Sequence, residues 1–169
     1  MTALQVSSMK TFMNHLLITD TFDIFLLEEA VIGMACTYHI DGHTNREFFQ
    51  NGNPEEAPSV HPDLELRPWC DLKGLCYNLI RGKRTPLFFR FVLHLHPEKA
   101  RALLARSGCD VDPSLVKALV LNIRYDGSKA VLTTGTAYQT FVPSKEPDMI
   151  WDKALAKYLD GKGIACEAL

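Results

Sequence analysis

Leu119-Val120-Leu121-Asn122-Ile123-Arg124-Tyr125-Asp126-Gly127, continuing through Ala130 to Phe141, is the stretch that decides the fold. Leu119, Leu121, Ile123 and Tyr125 fall on one parity and Val120, Asn122 and Arg124 on the other. That is the two-residue period of a strand with one face on a core. Asp126-Gly127 is a turn pair, and Thr133, Thr134, Thr136 and Thr140 favour a strand beyond it. The stretch reads as an antiparallel hairpin. Its alternation differs from the continuous apolar runs of a parallel sheet.

Working outward, Leu87 to Leu95 alternates in the same way. Leu87, Phe89, Phe91, Leu93 and Leu95 take one side; Phe88, Arg90, Val92, His94 and His96 take the other. Pro97 and Glu98 then open a helix with Ala100, Leu103 and Leu104 inward, stopped by Gly108. Phe22 to Ile40 has period two as well, with Ile24, Leu26, Ala30 and Ile32 on one parity and Glu28 interrupting the apolar set. The run exceeds the usual strand of about 3–10 residues, so it predicts a bend or bulge near Glu28 or Gly33, or two strands. Asp41-Gly42 closes it.

Three further helices follow from spacing and end signals. Ser7 or Ser8 caps the first, in which Met9, Phe12, Met13 and Leu16 recur. Pro68 opens the second, with Trp69, Leu72, Cys76 and Leu79 on one face and Gly82 just past its end. Asp148 to Leu159 forms the last, with Ile150, Trp151, Ala154, Leu155 and Tyr158 packed inward. Ala3 to Val6 reads as an edge strand. Gln50 to Pro68 carries four prolines (Pro54, Pro58, Pro62 and Pro68) and few apolar residues, and reads as a mobile loop. The expected fold is α+β, one domain over residues 1–169, with helices packed on an antiparallel sheet.

The chain has 169 residues, a length that predicts a single compact unit. It carries 18 Lys+Arg against 20 Asp+Glu, so no global basic field draws it to nucleic acid or acidic lipid. Five cysteines, an odd number without C-x-x-C spacing, point to a reducing compartment and a cytoplasmic location. The first residues lack a secretory plan, and no apolar run is long enough to span a bilayer.

The chemistry-bearing patterns are sparse. His94-Leu95-His96 would place two imidazoles on one strand face, and His39, Asp41 and His43 share a parity around a turn, so His94, His96, His39 and His43 are the metal-ligand candidates. The plainer reading is a solvated strand face, with His96 capping the helix after it. Glu28, on the apolar parity, is either a buried acid or base or the mark of a bulge or an ion pair. Cys36 and Cys76 fall on apolar faces and read as core. There is no nucleophile motif, and Gly82-Lys83 closes a helix where a phosphate loop would open one.

Local charge remains. Arg81, Lys83 and Arg84, with Lys73 one helical face earlier, form the one dense basic patch, which Arg90 and Arg124 extend if their strands are neighbours. Its plain reading is dipole compensation at a helix C-terminus; its functional reading is contact with an acidic partner or a phosphate backbone.

Asp20-Thr21-Phe22-Asp23, Ile40-Asp41-Gly42-His43, Arg81-Gly82-Lys83-Arg84-Thr85-Pro86 and Asn122-Ile123-Arg124-Tyr125 resemble landmarks of a small uncharacterised bacterial protein family. The resemblance covers nearly the whole chain and implies one complete domain, without an activity to carry over. The element order alone is similar to one domain of the DNA sliding clamps, whose helices face DNA. No clamp motif accompanies it, and the helix from Pro97 to Gly108 would be an insertion in that plan.

The sequence favours a non-enzymatic binding or interaction module, contacting a protein or nucleic-acid partner through Arg81, Lys83 and Arg84, without a cofactor or membrane association. The alternative is a metal-dependent hydrolase using His94 and His96 with His39, His43 or Glu28. A structural subunit whose apolar surface a partner buries is the third reading, and self-association into a homo-oligomer stays open.

Overall fold

The computed structural model describes residues 1–50 and 63–169. In chain order the elements are β1 (Ala3–Val6), α1 (Met9–Leu17), β2 (Phe25–Gly33), β3 (Thr37–Asp41), α2 (Arg46–Gln50), β4 (Arg67–Pro68) and α3 (Trp69–Ile80). They continue with β5 (Phe88–Leu95), α4 (Pro97–Arg106), β6 (Val116–Tyr125), β7 (Ala130–Tyr138), α5 (Glu146–Gly161) and β8 (Cys166–Ala168). The loop expected over 50–68 lies mostly outside the described residues. Its last residues pair: Leu66 bridges to His43, and β4 lies along Leu26 and Leu27.

The strands make one antiparallel sheet in the order β3-β2-β5-β6-β7-β1-β8, with β4 beside one end of β2. The fold is α+β, as the alternation predicted. Leu27, Ala30, Phe91, Leu93, Leu121 and Ile123 belong to one buried face, covered by apolar residues of α1, α3, α4 and α5. The opposite face carries Arg90, Val92, Asn122, Arg124 and Thr133, all half-buried or exposed. Among the described residues no helix is long and apolar enough to cross a membrane.

The bulge expected near Glu28 is present, and two readings around it change. The pairing of β2 with β5 slips between Leu27 and Glu29, which makes Glu28 the extra residue of a bulge. The bulge switches parity: Phe25 and Leu27 face the core before it, Ala30 and Ile32 after it. Leu26 therefore does not share a face with Ala30, because one extra residue inverts every side chain beyond it, while Ile24, in the turn before β2, packs against the core. Cys36 is exposed, since β2 ends at Gly33 and the chain turns through it before β3; Cys76 is buried as expected.

Gly42 fixes the far side of the bulge. Its N–H donates to the Glu28 carbonyl at 2.9 Å, and its own carbonyl accepts from Arg67 N–H at 2.8 Å. A Cβ there would stand 1.9 Å from the Leu27 carbonyl oxygen, so only glycine fits this approach.

Candidate functional site

The basic patch of the sequence sits at the mouth of a groove. Met9, Met13 and Leu17 recur every four residues on α1 and line one wall. Tyr77 and Ile80 of α3 line the other, and Phe89 and Tyr125 form the floor, their rings stacked with centroids 4.9 Å apart. The cavity holds about 360 Å³.

Lys10, Arg81 and Arg84 stand on its rim, and no Asp or Glu lines it. None of these cations, nor Lys83 beside them, forms an ion pair among the described residues; Arg81 lies over the Tyr77 ring at 6.0 Å. Gly82, at φ 138°, supplies the left-handed backbone that turns the chain from α3 along the mouth.

The walls are fixed from behind. Trp69 donates its indole N–H to the Leu16 carbonyl at 2.9 Å in the buried interior. Lys73 does not join the basic patch: its Nζ donates to both carboxylate oxygens of Asp23, at 2.7 and 2.9 Å, and to the Thr19 carbonyl at 2.9 Å. Tyr158 Oη donates to the Thr21 carbonyl at 2.6 Å. Together these bonds tie the α1–β2 connection to α3 and α5.

Arg90 and Arg124 are cross-strand neighbours, directly opposite in β5 and β6. They alternate with Phe89 and Tyr125, so they project from the sheet face away from the groove. Arg90 is paired with Glu29 at 2.8 Å. The structure therefore splits the expected patch between two faces.

The histidines separate likewise. β5 ends at Leu95, and His96 becomes the N-cap of α4, its Nδ1 accepting from Glu98 N–H at 3.3 Å. His94 stays on the open sheet face, where its Nε2 meets Glu28 Oε2 at 2.5 Å. His39 pairs with Val31 and His94 with Leu26. Those partners are about 15 Å apart along β2 at a strand's rise.

His43 is exposed, its Nδ1 on Asp41 Oδ1 at 2.6 Å. The His43 backbone N–H and then its ring hold the Asp41 carboxyl below the usual carboxylate range. His94, Glu28 and His43 do line a common cavity of about 280 Å³. Among the described residues, however, no group of three or more His, Cys, Asp or Glu is placed to hold a metal ion.

Sequence reading missed the groove itself. Met9 and Met13 carry a helical period that marks a buried face equally well, and Tyr77 and Tyr125 belong to elements far apart in the chain. Lys10, on the exposed side of the first helix next to Met9, was the one local signal.

A family of unknown function (DUF5721) matches residues 15–167, and the chain belongs to that family. No curated protein and no solved structure matches it.

Proposed function

We propose that this member of the family is a binding module for an amphipathic organic anion. The apolar body would lie in the groove between α1 and α3, and the acidic head at Arg81 and Arg84. One observation carries the reading: an apolar cavity of about 360 Å³ is rimmed by cations and lined by no carboxylate. That volume lies in the range of small-ligand sites, about 300–1,000 Å³. Burial of an alkyl or aryl body against Met13, Leu17, Ile80 and Phe89 supplies affinity. A guanidinium pair selects a carboxylate, sulfate or phosphate head over a neutral one.

The apolar floor favours this ligand over a nucleic-acid backbone, whose phosphates would leave Phe89 and Tyr125 uncovered. Lys83 adds to the field at the mouth, whereas Arg90 and Arg124 serve the opposite face. Five free cysteines support a reducing, cytoplasmic setting for the binding.

Calorimetric titration with decanoate and with decanol tests the reading. Decanoate is expected to bind and decanol to bind more weakly. The R81A/R84A variant is expected to lose roughly 10- to 100-fold in decanoate affinity, the worth of one or two hydrogen bonds to a charged group. Absence of decanoate binding, or equal affinity for the alcohol, overturns it.

A further inference from the structure

A second groove runs between α4 and α5, remote in sequence from the first. Ile150, Ala154 and Tyr158 recur every four residues along α5, and Leu103 of α4 faces them, giving a half-buried apolar strip. Lys153 and Lys157 flank the strip on α5, Lys162 extends it, and Arg106 stands on the α4 side. No carboxylate lines this groove. None of these four cations forms an ion pair among the described residues; Lys162 lies over the Tyr158 ring at 5.5 Å.

The segregation of charge is built into α5. Three of its four acids bond elsewhere: Asp148 accepts from Tyr138 Oη at 3.1 Å, Asp152 from Thr134 Oγ1, and Glu146 from Asp110 N–H at 2.9 Å. Asp152 also meets the Met1 ammonium at 3.0 Å. The fourth, Asp160, does not line the groove, whereas Lys153 and Lys157 do, on the side facing α4.

We infer that the α4–α5 groove docks an acidic amphipathic helix of a partner protein. An apolar strip at helical spacing, with lysines along one side and Arg106 on the other, is the complement of a helix with apolar residues at i, i+3, i+4 and i+7, flanked by Asp and Glu. A nucleic-acid backbone satisfies the lysines but leaves Ile150, Ala154 and Leu103 uncovered. Unpaired cations at the rim speed encounter with an acidic partner and reject a basic one.

The test is selection of a random peptide library, displayed on phage, against the full chain, followed by counter-screening on K153E/K157E. Both lysines are exposed, so this variant is expected to keep the wild-type circular dichroism spectrum and Tm. Enriched peptides should carry helical apolar spacing with Asp or Glu beside it. Made synthetically, they should gain helicity on binding, bind less tightly as salt rises, and lose about tenfold or more on the charge-reversed variant. No enrichment overturns the inference, as do peptides that bind wild type and K153E/K157E equally. A short DNA duplex that binds through Lys153 and Lys157 while no acidic peptide does would overturn it in favour of nucleic acid.

Discussion

The Trp69 indole N–H and the Leu16 carbonyl, 2.9 Å apart, join the first turn of α3 to the last turn of α1. Leu16 lies where a helix leaves its carbonyls without intrahelical partners, and the indole supplies the missing donor. The two helices so joined are the walls of the binding groove. Trp69→Phe keeps most of the packing but strands a buried carbonyl. It is expected to cost about 1–3 kcal/mol in urea denaturation and to weaken decanoate binding through loosened walls. Stability equal to wild type would show that the bond does not hold α1 to α3.

Lys73 and Arg81 lie eight positions apart on one segment but have different duties. Lys73, with its side chain 17% exposed, closes Asp23 and the Thr19 carbonyl onto α3. Lys73→Met is expected to destabilise the fold by about 2 kcal/mol, since it removes charge-assisted bonds from partly buried acceptors. Arg81→Ala is expected to stay within about 0.5 kcal/mol of wild type, as an exposed change away from packing, and to lower affinity instead. Denaturation and decanoate titration on both variants separate the two roles.

At Gly42 an added methyl meets the Leu27 backbone, and no side chain can yield to relieve it. Gly42→Ala is expected to cost about 1–3 kcal/mol and to disturb the bulge that sets Glu28 against His94. Gly74, in the middle of α3, has nothing within 4 Å of an added Cβ. Gly74→Ala is expected to stabilise by about 0.5–1 kcal/mol through helix propensity alone. Thermal melts of the pair give opposite signs if both environments are as described.

Much of this was legible in the sequence. Period two and Asp126-Gly127 predict the β6–β7 hairpin, and the lone Glu28 in an apolar run marks the bulge. Proline and glycine at its ends frame α4, and His96 just before Pro97 reads as its cap as well as a ligand candidate. What the sequence hides is long-range pairing. Nothing local in Ala3 to Val6 shows that β1 lies between β7 and β8. Lys73 reads as part of a basic patch because Asp23, which takes its charge, lies 50 residues earlier. The groove stays hidden for the same reason, since its floor and walls come from four separate segments.

Acid stability follows from Asp126. The N–H groups of Lys129 and Ser128, then the Ser128 hydroxyl, donate to its carboxylate and lower its pKa to about 2. The folded value lies below the unfolded one, so the stabilisation is complete above pH about 4 and fades as pH falls toward 2. Asp126→Ala should therefore flatten the pH dependence of stability within that window and leave it unchanged near neutrality. The same slope in variant and wild type would place the acid sensitivity elsewhere.

The most direct measurement of the central claim is methyl NMR of protein labelled at its methionines, titrated with decanoate. Met9 and Met13 line the groove, whereas Met34 and Met149 lie outside it. The account predicts that the methyl signals of Met9 and Met13 shift with a common saturation curve while those of Met34 and Met149 stay in place. Decanoate that shifts Met149 or Met34 instead, or leaves all the methyls unmoved, would contradict it.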